Sequence, residues 1–400
     1  MKKRARIAAA AVVLSVSGLL LWKSQAGAHA PTVSAPPPSP SSPTTTPVAT
    51  AEPEPAPAPS NQRPRVDIVF ALDTTGSMGG LIEGAKAKIW EIARKAQEGK
   101  PAPELRIGLV AYRDNGDSYV TQVFPLSADL DAVYAKLTSF SAGGGGDGPE
   151  HVLKGLDDAI SAQWSTDPNA VKLVYLVGDA PPHLDYKDGI TLDSVLAKAH
   201  KNGVRVSAIR CGNDSSTLAS WTTIAQRTDG EVASIQQNGG VVAVATPYDA
   251  ELARLNAELA RTEVHWGSAD DRARADRDVA ANIAAPAAAQ ADRAGFYATR
   301  AAAKPATATK NDLTASDPSV MATVKESELP PEMRGMTQEE RAAFVESKKK
   351  EREAVLAKIG ELNRKRSDHI AAAPAPAASA FDSKVYDSLK KAGKRSGIAY

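Results

Sequence analysis

The stretch VDIVFALDTTGSMGGLIE, residues 66–83, decides how the rest of the chain is read. Residues 66–72 are apolar apart from Asp67, as expected of a buried strand. The run stops at Asp73. Thr74, Thr75 and Ser77 follow, interleaved with Gly76, Gly79 and Gly80, and then a helical pattern begins. A buried strand ending in this way delivers carboxylate and hydroxyl oxygens to one point at the edge of a sheet, which suits a hard cation such as Mg²⁺.

Working outward, apolar strands alternate with amphipathic helices. A helix is expected over 81–98, with Ile82, Ala85, Ile89, Ile92, Ala93 and Ala96 on one face. Strands follow at 105–112 and, short and alternating like an edge strand, at 119–124. A helix is expected at 130–140. The glycines 143–146 lead through Asp147, Gly148, Pro149 and Glu150 into another helix reaching Ala162, with Pro149 and Glu150 in its first turn. Strands at 171–177, 204–211 and 231–235 alternate with helices at 190–202 and 218–228. This order predicts an α/β fold: a doubly wound, mostly parallel sheet with helices on both faces. Ligands of such sheets gather at the carboxyl ends of the strands, where Asp73 and Asp179 both fall.

Beyond this core the sequence changes character. Residues 1–28 begin with Lys2, Lys3, Arg4 and Arg6, continue apolar over 7–22, and end in the small residues Ala26, Gly27 and Ala28. This is the layout of a secretory signal, with cleavage expected after Ala28 and an uncleaved membrane anchor as the alternative. The expected location is exported: periplasm, cell envelope or secreted. Residues 29–64 are a Pro-rich linker, with twelve of the 27 prolines of the chain lying between 31 and 64. The core domain is placed at 65–238 and a helical extension at 239–265, with Leu252, Leu255 and Leu259 on one face. A low-order Ala-rich segment at 266–332 is read as partly helical and poorly packed. A long helix at 333–370 opens on a Thr337–Glu340 capping box. Residues 371–400 are read as a Pro/Ala spacer followed by a basic helix. The C-terminal extension is thus helical and partly disordered.

A net charge of +1 gives no field that would recruit nucleic acid. The lone cysteine, Cys211, precludes an internal disulfide and reads as an inert core thiol. The glycines 143–146 lack the G-K-[S/T] ending of a phosphate loop. Arg113 and Arg210 near strand ends could rim the site but are read first as solvated, and His183 could line the ligand surface but is read first as a solvated or structurally bonded loop residue.

Three loops meet at the expected binding edge: ALDTTGSM, GGGDGPE and LVGDAPPH. With these motifs, in this order and spacing, residues 65–235 resemble the von Willebrand factor type A domain and its metal-ion-dependent adhesion site, in a bacterial exported form. The resemblance implies Thr75 and Ser77 as hydroxyl ligands and Asp73 and Asp179 as carboxylate ligands, directly or through water. In the second loop the usual threonine is absent, and Asp147 or Glu150 takes its part, Asp147 being slightly favoured by its place in the loop. The implied function is non-enzymatic. Mg²⁺, or else Mn²⁺ or Ca²⁺, is completed by an Asp or Glu of a protein partner, in a divalent-cation-dependent adhesion module of the cell envelope. No nucleic-acid partner is expected, and membrane association would come through an uncleaved N-terminus.

Four alternatives are weighed beside it, one of them the same fold without a metal. Asp73, Thr75 and Ser77 can serve only to cap the following helix. The protein can be a metal-stabilised scaffold or assembly factor acting through its C-terminal half. Ser77 can be a hydrolase nucleophile with His183 or His200 as base, although Thr75 occupies the place of the first glycine of a G-x-S-x-G elbow.

Overall fold

The computed structural model describes residues 63–146, 148–240, 245–303, 311–372 and 380–400. The expected signal and nearly all of the linker lie outside these residues, as does Asp147. The expected first strand is β1 (Arg65–Asp73), buried from Val66 to Asp73. Its one charged interruption is matched: Asp67 accepts two hydrogen bonds from the Arg106 guanidinium, at 2.8 and 2.6 Å, and one from Ser165 N. After β1 come α1 (Gly79–Gln97), β2 (Glu104–Tyr112), β3 (Thr121–Ser127), α2 (Leu130–Thr138), α3 (Val152–Ile160) and β4 (Val171–Gly178). Then follow α4 (Leu192–Asn202), β5 (Arg205–Cys211), α5 (Ser215–Gln226) and β6 (Val232–Ile235).

The six strands lie in the order β3-β2-β1-β4-β5-β6. All pairings are parallel except β2 with β3, so the edge strand expected near 119–124 is the antiparallel one. The chain leaves β1 toward β2 and later returns to its other side as β4. The strand order therefore reverses beside β1, and the crevice at this switch point lies at the carboxyl ends of β1 and β4.

Alternation along β1 divides the core. Val66, Ile68, Phe70 and Leu72 face one layer, and Val69 and Ala71 face the other, which holds α3, α4 and α5. The first layer contains α1 and α2 and, unexpectedly, most of the chain after β6. There lie α6 (Asp249–Ala260), α7 (Ala269–Ile283), α8 (Ala287–Ala303), α10 (Gln338–Ala372) and α11 (Phe381–Arg395), while the short α9 (Pro318–Thr323) packs on a separate small cluster that includes Val264, Leu329 and Met333.

The expectation of a poorly packed Ala-rich segment is corrected here. Helix α8 packs against α1, α6 and α10, with Ala291, Ala294, Phe296 and Tyr297 buried. Alanine leaves little side chain between helices, so α8 approaches its neighbours closely enough for Trp90 to stack near Phe296, ring centroids 5.3 Å apart. Weak apolar periodicity hid this because Arg293 and Asp292 are buried on the same helix, each paired inside the fold. The expected capping box is present, Thr337 N donating to Glu340 and Glu340 N to Thr337 Oγ1. The basic C-terminal helix is a core element. Phe381, Val385 and Leu389 of α11 are buried, and Phe381 meets Phe70 of β1 at 6.1 Å.

Candidate metal centre

At the end of β1 the chain cannot go straight into α1, because residues 76–78 form a 3₁₀ turn first. Neither helix start is capped by a side chain, so Asp73, Thr75 and Ser77 are not accounted for as a helix cap. Instead Asp73 turns back on its own loop. Its Oδ1 accepts from Thr75 N at 2.8 Å and from Thr75 Oγ1 at 2.7 Å, while Oδ2 is buried with no hydrogen-bond partner among the described residues. Ser77 lies exposed at the rim.

The second loop differs from expectation. Helix α3 starts at Val152, so Pro149 and Glu150 precede it. The cause is a backbone bridge to the third loop: Glu150 N donates to Pro181 O and Glu150 O accepts from His183 N, both at 3.0 Å. This tie holds Glu150 back from helical geometry and turns its side chain toward the first loop. A Cβ on Gly145 would stand 3.1 Å from Glu150 Oε1 and 3.2 Å from Thr75 Cβ, so the two side chains flank one glycine. Glu150 Oε2, like Asp73 Oδ2, is buried and unpartnered.

Asp179 follows β4, half-buried beside Asp73. The glycine before it makes room: a Cβ at Gly178 would lie 2.7 Å from Asp73 Cβ and 2.9 Å from Oδ2. Among the residues expected at the site, the structure thus brings Asp73, Thr75, Glu150 and Asp179 to one edge.

The electrostatics follow from this crowding. Burial pushes the Asp73 carboxyl up to about 7, against the hydrogen bonds from Thr75, and the charge of Asp179 adds to the rise. Burial first, and then the charges of Asp73, Asp114, Asp117 and Asp179, push Glu150 up to about 8. Tyr112 beneath them is raised well above its ordinary value by burial and by the same carboxylates. Among the described residues, no group of three His, Cys, Asp or Glu side chains could hold a metal ion. An ion here would need hydroxyl oxygens, such as those expected from Thr75 and Ser77, as well. An all-oxygen donor set with two orphaned buried carboxylate oxygens fits a hard divalent cation.

Several supporting residues escaped the sequence reading. Arg113, expected to be solvated, is 8 % exposed. Its guanidinium donates to Thr74 O, Ser141 O and Ser118 Oγ at 3.0, 2.8 and 3.0 Å, clamping the first loop to the second. Arg210 likewise donates to Ser234 Oγ and Asp214 O. Asp117 accepts from Gly145 N, and Gln237 donates to Asp179 Oδ2 at 2.5 Å. No local motif announces the contacts of Arg113 with Thr74 and Ser141, of Asp117 with Gly145 or of Gln237 with Asp179, because each joins segments at least 28 residues apart. His183 is structurally bonded, to Asp185 at 2.9 Å and stacked on Tyr186 at 4.3 Å, and His200 is exposed on α4. Burial raises the Cys211 thiol, in keeping with an inert core cysteine.

Comparison with known proteins bears on the domain that carries this site. Residues 67–240 match the model of the von Willebrand factor A domain. The chain is 32% identical over 119 residues to alpha-protein kinase vwkA of Dictyostelium discoideum, covering 30% of this chain and 19% of that protein. It is 40% identical over 144 residues to von Willebrand factor A domain-containing protein 7 of Rattus norvegicus, covering 36% and 15%. The chain thus spans less than a fifth of the length of these relatives. Among solved structures, the SpRpn10 VWA domain aligns with a TM-score of 0.33 at 17% identity, covering 44% of this chain and 89% of that one. The pilus adhesin SpaC of Lactobacillus rhamnosus GG aligns with a TM-score of 0.32 at 17% identity, covering 43% and 28%. Residues 67–240 of this chain are a von Willebrand factor A domain.

Proposed function

We propose that this protein is a non-enzymatic, divalent-cation-dependent protein-binding module of the cell envelope. Asp73, Thr75, Ser77, Asp179 and a second-loop carboxylate, Asp147 or Glu150, would hold Mg²⁺, or Mn²⁺ or Ca²⁺ in its place, for an Asp or Glu of a partner. The observation that carries this reading is the pair of buried, unpartnered oxygens, Asp73 Oδ2 and Glu150 Oε2, at the switch point of the sheet. Burying an uncompensated carboxylate costs several kcal/mol, and a loop cluster that keeps two of them side by side has a place for a cation. The same orphaned oxygen favours Glu150 as the second-loop ligand.

When bound, the ion supplies an electron-poor centre at which a partner carboxylate replaces water. The chain's own residues prepare that contact. Thr75 holds one oxygen of Asp73 and leaves the other open. Arg113 fixes the first loop against the second, and Ser77 keeps the outer rim accessible. The envelope location rests on the basic-then-apolar start of the chain.

The test is retention of envelope proteins on the immobilised chain with Mg²⁺ and with chelator. Retention with Mg²⁺, release by chelator and none on Asp73→Ala with its circular dichroism unchanged is the expected result. Retention indifferent to both would overturn the proposal in favour of a scaffold acting elsewhere on the chain. Against that scaffold reading, the apolar faces of α8 and α11 are already consumed within the fold.

A further inference from the structure

The two carboxylates that end β1 and β4 are held in matching ways. Asp73 has one oxygen engaged by its own loop and the other free of protein donors. Asp179 has its backbone fixed by α5, where Thr217 Oγ1 donates to Asp179 O at 2.9 Å. Its carboxylate is fixed from a different direction, by the Gln237 side-chain amide at 2.5 Å on Oδ2.

Gln237 lies two residues beyond β6, which is separated from β4 by β5. To reach Asp179 its side chain must cross the end of β5, and it does so over Gly212. A Cβ at that glycine would meet Gln237 Oε1 at 2.3 Å, and the backbone there has φ +75°. The turn carrying Gln237 is itself anchored. Asn238 sits against Gly80 at the start of α1, where a Cβ would meet it at 2.9 Å, and Gly239 O accepts from Phe381 N of α11 at 3.1 Å.

We infer that Gln237 is the positioning residue of the third metal loop: its amide holds Asp179 Oδ2 and so leaves Oδ1 for the cation. The turn after β6 is thereby a fourth loop of the site. This rests on the metal-binding reading above and adds to it a residue that touches the ligand, not the ion. Donors that orient ligands commonly govern metal affinity 10- to 100-fold. The effect should also depend on the ion. Mg²⁺ demands near-ideal octahedral geometry, whereas Ca²⁺ accepts flexible coordination, so losing an orienting donor penalises Mg²⁺ more.

The test is calorimetric titration of the full chain with Mg²⁺ and separately with Ca²⁺, for the unaltered protein, Gln237→Ala and Gln237→Met. Met keeps the length and the packing over Gly212 but has no N–H. Both variants should lose about tenfold or more in Mg²⁺ affinity and distinctly less for Ca²⁺. Metal-free melting should be unchanged, because Gln237 is exposed. If Met retains the original Mg²⁺ affinity, or if both ions weaken equally together with lowered melting, the inference is overturned while metal binding stands. If the unaltered chain takes up neither ion, the metal reading falls and this inference with it.

Discussion

Two regions of this molecule bury carboxylates, and they treat them in opposite ways. In the C-terminal layer, Arg293 donates to both oxygens of Asp131 at 2.6 and 2.8 Å, to Asn256 at 2.7 Å and to Glu263 at 3.2 Å. Arg366 bridges Asp249 and Asp292 at 2.7 and 2.6 Å. At the carboxyl edge of the sheet, Asp73 and Glu150 each keep an oxygen without a partner. Titration reflects the contrast. Burial would raise Glu263, but His265 and the charges of Arg293 and Arg352 bring it below its ordinary value, whereas Asp73 and Glu150 rise to about 7 and about 8. Where the counter-charge is part of the chain, the carboxylate is paired and closes the fold, although burial still pushes Asp292 up to about 6 against the pull of Arg366. At the sheet edge the described residues bring no donor to Asp73 Oδ2 or Glu150 Oε2, and in the proposed function a cation would take that place.

The contrast is most exposed to failure at Arg293. Replacing it with Met leaves Asp131 and Glu263 buried without their guanidinium and should cost about 3–5 kcal/mol in urea unfolding. A loss below about 1 kcal/mol would mean the pair behaves like an exposed one, and the comparison would break. Adding Mg²⁺ probes the other region. At a hundredfold excess over its dissociation constant the ion should raise stability by about 2.7 kcal/mol, read as a higher melting temperature. Asp73→Ala should show no such gain, while its metal-free stability should stay within about 1 kcal/mol of the parent, since losing the two hydrogen bonds from Thr75 is offset by removing a buried carboxyl whose Oδ2 has no partner among the described residues.

A smaller effect should appear with pH. Burial alone would lower His265, but its hydrogen bonds to Glu263 and Asp276 and the charges of Glu263 and Asp312 raise it to about 9. The folded value lies above the unfolded one of about 6.5, so its contribution is complete below pH 6.5 and is lost as pH rises through 9. Allowing for screening at the rim, the loss should be on the order of 1–2 kcal/mol. His265→Gln should flatten the stability profile across that window. An unchanged profile would remove His265 from the network.

The relation between sequence and structure divides along the same line. Strands, most helices and the doubly wound, mostly parallel class of the sheet were legible, because apolar periodicity reflects local geometry and burial. Asp73 and Asp179 were legible as well, since a parallel strand delivers its last residues to one edge whatever surrounds it. The start of α3 was misplaced by the backbone bridge from Glu150 to Pro181 and His183, which no residue pattern encodes. Helix α8 was misjudged because a helix that buries Arg293 and Asp292 among alanines carries no apolar stripe.

By itself, then, the sequence determined the alternating fold and the oxygen-rich ends of β1 and β4. These follow from strand periodicity and from the direction in which parallel strands run. Only the tertiary structure decided that Arg113 clamps the loops, that Gln237 reaches across Gly212 to Asp179, and that Glu150 faces Thr75. It also decided that α8 and α11 are core elements. Those outcomes depend on pairings between residues distant in sequence, whose free energies become available only when both partners are in place.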